Sequence, residues 1–441
     1  MFHHQLGSID SRAALAAYLG GPVKPVSAVA DHLTPSLWTV ATKIMNSTCM
    51  LWSVSRLLPL LVSCMLLGAC SSDWEPAFDE TLEPGELDSV AIADPENALT
   101  FARIGPDGPR RLIAVTRYEA GSVEGVDLSV PLGRQIADPL GVFLDEGYDA
   151  LRDAVLRAAP GARVSVPASE LVMPLDLRDH HIAAGTNFPE HAGETSVEQG
   201  PFLFPKIVSP TGPYSPVSAA TALLDYEAEV AWVSLEPVVD PTIPPEYMGL
   251  VVCSDYTDRE TLLRSVDVGD VESGKGFTTG KSFPGYLPVG NLFVIPRDFR
   301  AFAENLELRL YVNHRLRQRS MAGEMIWDID DLLAQTWARR SVGWEHRAQQ
   351  VSLLGEAELI PDRTLIMSGT PHGTVFQGIA TRQKLSGFLA WLFGGWEDSL
   401  PSHAISAYVD DARYTGVYLQ PGDQVAIHVD YLGVIRNEVT R

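Results

Sequence analysis

Short apolar runs bounded by Gly, Pro, Asn or Asp recur along the C-terminal two-thirds of the chain. Five of them have the length and apolar content of buried strands: AEVAWVSL, GLVVCSDY, LRLYVNHRL, RTLIMSG and QVAIHVDYLGVI. One earlier segment, YDALRDAVLRAA, places its apolar residues at helical spacing instead. These patterns predict an α+β fold in which strands dominate.

The composition divides the chain into successive stretches. Residues 50–69 form a leader, and residues 70–97 are acidic and without periodicity, which is typical of a tether. Residues 98–175 predict a small N-terminal portion with short strands and turns. Residues 176–441 hold the strand-rich part and all the candidate chemistry, and this part contains an insertion at about 375–417.

The insertion includes KLSGFLAWLFGGW, which predicts a helix that packs on the domain or forms a dimer interface. The alternative is an interfacial helix that touches a membrane, and its position close to SGTPHG would also allow it to roof a pocket. The apolar residues at helical spacing are Leu385, Phe388, Leu389, Leu392, Phe393 and Trp396.

The leader is typical of a bacterial lipoprotein signal peptide. Arg56 supplies a positive charge, residues 57–67 form an apolar core, and the string LGAC ends at Cys70, the expected site of lipidation. The apolar run is too short for a permanent transmembrane helix. We therefore expect a lipid-anchored protein of the bacterial cell envelope. Translation would start at Met45 or Met50, which would make residues 1–49 a mis-assigned upstream extension.

Charge and cysteine content indicate which partners and which disulfides the protein can have. The 441-residue chain carries a formal charge of −23 and shows no basic patch with interleaved aromatic residues, so we expect no nucleic-acid partner. Of its four cysteines, Cys49 and Cys64 fall in or before the leader and Cys70 would carry lipid. Cys253 therefore has no partner for a disulfide, and its apolar surroundings predict a small buried side chain.

Three carboxylates stand at metal-ligand spacing. Glu227 and Glu229 lie two apart and alternate with apolar residues, so on a strand both would project from one face. Two acids on one face are costly unless a cation neutralises them. Asp255 follows the next apolar run. Oxygen ligands without a Cys or His cluster suit Mg²⁺, or Mn²⁺ or Ca²⁺, better than zinc.

Further polar residues supply a candidate base and positive charge. His191 and Glu194 lie three apart, which on a helix places the carboxylate beside the imidazole and lets the pair take a proton from water. Arg259 and Lys281 would offset the acids and attract an anionic substrate. Thr370, in SGTPHG, lies on a loop whose hydroxyl and amides could hold a carboxylate.

Taken in order, the strings NFPEHAGE, LDYEAEV, SDYTDRE, GKSFPGYLPVG and SGTPHG resemble the catalytic domain of the fumarylacetoacetate hydrolase family. The resemblance implies a mixed β-roll, a homodimer, and a metal bound by the three acids. It implies roles as general base for His191 with Glu194 as its partner, as enolate stabiliser for Lys281, and as substrate ligands for Arg259 and Thr370. Leu262 departs from several relatives, which place a glutamine there, and Gln318 matches a hairpin string near the site.

The resemblance implies a metal-dependent hydrolase that cleaves a carbon–carbon bond in a small anionic dicarbonyl acid. Within the same family, decarboxylation, isomerisation and dehydration are alternatives, because each passes through an enolate. An alternative from another class is a non-catalytic envelope protein that keeps the fold as a binding module.

Overall fold

The computed structural model describes residues 74–83, 85–105, 110–195, 200–220, 222–392 and 399–441, all within the compact unit Ser72–Arg441. The leader, the lipidation site Cys70, and Phe393 and Trp396 of the insertion lie outside these residues. Among the residues described, no helix has the length and apolar character needed to cross a membrane.

Strands predominate over helices, as the apolar runs predicted. The strands are β1 (Ala98–Ile104), β2 (Arg111–Glu119), β3 (Ser122–Asp127), β4 (Arg163–Pro167), β5 (Leu171–Val172), β6 (His180–Gly185), β7 (Phe202–Ile207), β8 (Val217–Ser218), β9 (Leu224–Asp225), β10 (Ala228–Ser234), β11 (Met248–Ser254), β12 (Thr257–Asp258), β13 (Phe293–Pro296), β14 (Glu307–Val312), β15 (Arg315–Met321), β16 (Trp344–His346), β17 (Gln349–Val351), β18 (Leu365–Met367), β19 (Gln424–Val429) and β20 (Gly433–Thr440). The helices are α1 (Pro139–Glu146), α2 (Tyr148–Leu156), α3 (Pro189–Thr195), α4 (Arg259–Ser265), α5 (Phe277–Lys281), α6 (Phe299–Glu304), α7 (Ile329–Ala338), α8 (Thr381–Leu392) and α9 (Leu400–Thr415).

Two sheets build the body of the protein. The larger runs in the order β4-β3-β2-β1-β13-β11-β10-β18-β6-β7, with β5 paired to β1, and the smaller in the order β15-β14-β19-β20-β8. β10 and β11 are buried along their whole lengths and contact strands of the smaller sheet, so both faces of these central strands are covered. This burial explains why their sequences are apolar runs and not a simple alternation. The α+β, strand-rich class predicted from the sequence is confirmed.

The N-terminal portion continues the larger sheet. β1 pairs antiparallel with β13, from Ala98 opposite Pro296 to Phe101 opposite Phe293, and thereby joins residues 98–175 to the strands of the C-terminal part. The predicted helix in YDALRDAVLRAA is α2.

The acidic stretch 70–97 differs from the predicted tether where it is described. Asp79 pairs with Arg315 at 2.7 Å, Glu80 pairs with Arg319 at 2.6 Å, and the amide of Leu82 donates to a carbonyl of the β14–β15 turn. Its acidic side chains therefore bind arginines of the β14–β15 hairpin, which is a role that low hydrophobicity alone does not reveal.

The insertion forms α8 and α9, which pack against each other. The predicted helix is present, but its packing differs from the expected apolar contact. Gln383 and Gly387 are its buried residues, whereas Leu385 and Leu392 are 46% and 41% exposed. A Cβ at Gly387 would lie 2.5 Å from the backbone nitrogen of Ala404, so the small residue sets which face meets α9.

Candidate metal and catalytic site

The antiparallel pairing of β10 with β11 brings the three candidate metal ligands together. Ala228 lies opposite Ser254, and the amide of Asp255 donates to the carbonyl of Glu227 at 3.0 Å, so the pairing extends one step past both strands. Residues directly opposite each other project to the same face, and Glu229 shares that face with Glu227. Each side chain offers an oxygen within 4.8 Å of the other two, and all three are buried.

Two cations touch this cluster from the direction of α4 and α5. Lys281 Nζ lies 2.7 Å from Glu227 Oε2 and 3.0 Å from Asp255 Oδ2. Arg259 donates from Nη2 to Glu227 Oε1 at 2.6 Å and from Nε to Asp225 at 2.7 Å. The structure therefore places both predicted cations at the candidate metal site, where Arg259 binds both Glu227 and Asp225.

The position of Lys281 depends on close packing of α4 on α5. A Cβ at Gly280 would lie 2.5 Å from the Cβ of Leu262, so only glycine fits immediately before the lysine. The ring of Phe204 lies 5.9 Å from Lys281 Nζ on the other side. The packing of α4 on α5 and the ring of Phe204 thus hold the Lys281 ammonium close to the carboxylates.

A third cation at the cluster, Lys206 on β7, was not predicted from the sequence. Its ammonium pairs with Asp255 Oδ1 and donates to the carbonyls of Lys281 at 2.6 Å and Tyr286 at 3.0 Å. The side chain is completely buried. A lysine inside the apolar string FLFPKI was the available signal, because buried lysines occur almost only where a partner satisfies them.

Burial and the neighbouring charges shift the pKa values of the residues in this cluster in different directions. Although burial alone would raise it, the pKa of Glu227 is lowered to about 2 by Lys281 and Arg259. Burial together with the Asp255 and Glu227 carboxylates raises the pKa of Glu229 well above its usual range. Burial would lower the pKa of Lys281, but Asp255 and Glu227 raise it.

The donor set fits a hard divalent cation. Glu229 Oε1 and Asp255 Oδ2 are buried oxygens that accept no hydrogen bond from the described residues, although Asp255 Oδ2 has Lys281 beside it. A cation between the three carboxylates would satisfy these oxygens and relieve the repulsion that raises the pKa of Glu229. Three carboxylates with no cysteine or histidine among them are typical of Mg²⁺, Mn²⁺ or Ca²⁺.

The predicted His–Glu pair lies on the short helix α3. His191 Nδ1 and Glu194 Oε2 are 3.1 Å apart, and the amide of Gly373 donates to both oxygens of Glu194 at 3.2 Å. The carboxylate therefore connects the histidine to the loop that carries Thr370. A carboxylate at Nδ1 fixes the orientation and the tautomer of the imidazole.

The loop at residues 368–373 is held by the β14–β15 hairpin. Gln318 accepts a hydrogen bond from the amide of Ala228 at 2.9 Å and donates to Thr370 Oγ1 at 2.9 Å and to the Pro371 carbonyl at 2.7 Å. The amide of Gly369 donates to Glu229 at 3.0 Å. The hairpin match predicted for Gln318 thus corresponds to a residue that locks Thr370 against the strand carrying the acids.

A cavity of about 310 Å³ joins these groups. His191, Glu227, Arg259, Lys281 and Thr370 all contribute to its wall, so most of the predicted site residues share one space. Glu229 and Asp255 lie behind that wall within the carboxylate cluster. Cys253 is fully buried, and burial raises the pKa of its thiol well above the usual value, as expected for a packing residue.

The fold and the site together define a strand-rich α+β protein with a candidate divalent-metal site beside a His–Glu pair. The model of the fumarylacetoacetate (FAA) hydrolase C-terminal domain matches residues 180–440, so the chain belongs to this family. The family inferred from the sequence motifs is confirmed.

Relatives cover most of the chain. Fumarylacetoacetate hydrolase domain-containing protein 2 of Pongo abelii is 25% identical over 365 residues, which is 78% of this chain and 96% of the relative. The mitochondrial oxaloacetate tautomerase FAHD2B of Homo sapiens has the same identity and coverage. The structure of a fumarylacetoacetate hydrolase from Exiguobacterium antarcticum is 20% identical, covers 78% of this chain and 99% of its own, and has a TM-score of 0.49.

Proposed function

We propose that this chain is a divalent-metal-dependent enzyme that hydrolyses a carbon–carbon bond in a 2,4-dioxo acid. The observation that carries the proposal is the buried triad of Glu227, Glu229 and Asp255, which adjoins Lys281 and, through Glu227, reaches the cavity that His191 lines. A divalent cation in the triad would polarise the oxo and carboxylate oxygens of the substrate as a Lewis acid.

The residues of the chain then have distinct tasks. His191 takes a proton from water, whose oxygen attacks the carbonyl carbon farther from the substrate carboxylate. The bond between that carbon and the methylene breaks, and its electron pair passes into the enolate of the 2-oxo acid. Protonation of this enolate completes a carboxylic acid and a 2-oxo acid as products. Lys281 stabilises the developing negative charge, and Arg259 binds the substrate carboxylate. Thr370, predicted to share that role, donates its hydroxyl hydrogen to the Ala228 carbonyl at 3.1 Å, so it must release that bond to donate to a substrate.

A second candidate is keto–enol tautomerisation or isomerisation of an oxo-acid. It needs the same cation and base but no attacking water. One observation favours it: relatives covered over 78% and 96% of their length are named oxaloacetate tautomerases. Apolar Leu262 lines the cavity at the place where several relatives carry a glutamine, which weakens the case for hydrolysis without favouring any other reaction. The two candidates share the proton transfer at His191 and differ in whether a carbon–carbon bond breaks.

Metal stoichiometry and product analysis test the proposal. We expect about one divalent ion per chain, and loss of that ion in Glu229→Gln, which keeps the acceptor for the Gly369 amide but removes a charge. Glu236→Gln, at an exposed position, is the control and retains the ion. Full stoichiometry in Glu229→Gln would contradict the site.

Pyruvate release from a panel of acylpyruvates separates the two candidates. His191→Ala should slow release roughly 10²–10⁴-fold, the usual range for a lost general base. Glu194→Gln should also slow it, because the pair is 3.1 Å apart, whereas Glu190→Gln on the exposed side of the same helix should not. If the wild type interconverts oxaloacetate tautomers faster than it releases pyruvate from every acylpyruvate tested, the second candidate is correct.

We also propose that the mature protein is anchored in the bacterial cell envelope through lipid on Cys70. The support is the string LGAC after an apolar run of signal-peptide length. The homodimer implied by the family resemblance stays a prediction.

A further inference from the structure

The cavity changes character along its length. At the metal site its wall is polar, with His191, Arg259 and Lys281. Beyond them a row of apolar side chains follows α4 and the segment after it. Exposure rises along this row, from 4% at Leu262 through 7% at Leu263 to 55% at Val268, so the row leads from the buried site to the surface.

The opposite wall is apolar as well. Phe277 and Phe202 stack edge to face with their centroids 4.6 Å apart, and both line the cavity. Phe376 and Ile379, which precede α8, complete the enclosure. Among the described residues of the wall, Lys384 is the one charged side chain outside the polar end.

We propose that this apolar channel binds an alkyl or aryl tail on the substrate, so that the enzyme prefers oxo-acids with an apolar tail over short or dicarboxylic ones. The inference rests on the proposed function, because the polar end must hold the oxo-acid head. A tail with a second carboxylate would lose its hydration against Leu263, Val271 and Phe277. The cation within its reach outside the polar end, among the described residues of the wall, is the half-buried Lys384, and an ion pair with a partly solvated lysine offsets little of that loss. An apolar tail instead releases water from both surfaces.

Binding of N-alkyl oxamates tests the channel without relying on turnover. Oxamate presents adjacent carboxylate and carbonyl oxygens, and its nitrogen carries a tail of chosen length. By calorimetry in Mg²⁺, the Kd should fall about threefold per added methylene from N-methyl to N-hexyl oxamate. The heat-capacity change should become more negative along the series. N-(5-carboxypentyl) oxamate should bind more weakly than N-hexyl oxamate.

Two variants in the channel and one exposed control variant test where the tail of the oxamate binds. Val268→Asp and Val271→Asp should weaken N-hexyl oxamate at least fivefold while leaving N-methyl oxamate unchanged, which also shows that the variants are folded. Val130→Asp is the control, because Val130 is 54% exposed, like Val268, but does not line the cavity.

Three results would overturn the tail inference alone: an affinity independent of tail length, tighter binding of the carboxylated tail, or wild-type affinity for N-hexyl oxamate in both variants. Failure of every oxamate to bind in Mg²⁺, together with absence of bound metal, would instead overturn the proposed function.

Discussion

Replacing Lys206 by methionine tests how the buried charges depend on a divalent cation. Methionine keeps a similar length and removes the charge. The change removes the ion-pair partner of Asp255. It also removes the hydrogen-bond donor to the backbone carbonyls of Lys281 and Tyr286. Breaking a buried ion pair costs about 3–5 kcal/mol, because a desolvated charge is left behind. We expect a loss of this size in EDTA.

Saturating Mg²⁺ should reduce this loss. A cation between the three acids neutralises Asp255 in place of the lysine, and removal of a neighbouring positive charge strengthens cation binding, which stabilises the folded state further. The assay is urea unfolding of wild type and Lys206→Met, each in EDTA and in Mg²⁺. Exposed Lys275→Met is the control and should change the free energy of unfolding by less than about 0.5 kcal/mol. An equal loss in both media would refute the reasoning.

Two further predictions concern pH and export. Burial, followed by the charges of His180 and Lys206, lowers the pKa of His181 to about 3, so acid favours the unfolded state, in which this histidine protonates near its ordinary pKa. The free energy of unfolding should therefore fall as the pH drops below about 6.5, and this histidine alone should lower it by about 2 kcal/mol at pH 5. Urea unfolding of His181→Asn should show a smaller decrease over the same pH range. In bacteria fed labelled palmitate, the mature protein should carry label and Cys70→Ser should not; an unlabelled wild-type protein would disprove lipidation.

The sequence predicts most of the charged groups at the site, but it missed Asp225 among the acids and Lys206 among the cations. Glu227 and Glu229 follow from period-two alternation, and Asp255 joins them because β10 and β11 pair antiparallel in one register. That register is a tertiary fact: the apolar run before Asp255 predicts a strand that ends there, and the family resemblance joins it to the two glutamates. Lys206 was missed because one charged residue in an apolar strand has no periodic signature.

The face of α8 that packs on α9 also could not be predicted from the sequence. The apolar stripe with Leu385 and Leu392 predicted a face that packs on the domain, on a dimer partner or on a membrane. Within one chain α9 instead meets the face of α8 that carries Gly387, and the contacts with a partner or a membrane stay predictions. A hydrophobic pattern reports which residues favour burial, whereas a small residue decides how near a neighbouring helix can come. The apolar cavity wall was missed for a similar reason, since its residues come from separate segments.

The balance of buried charge links metal binding to substrate binding. Four acids, including Asp225, contact or adjoin three buried cations, so the cluster carries one excess negative charge when all are ionised and none while Glu229, whose pKa is raised, holds a proton. In neither state does the cluster attract an anionic oxo-acid, and a divalent cation gives it a net positive charge. On the proposed function, recognition of the oxo-acid head therefore depends on the cation, whereas binding of the tail in the apolar channel does not. We expect the charged end of the cavity to determine whether an oxo-acid binds, and the apolar end to determine which one.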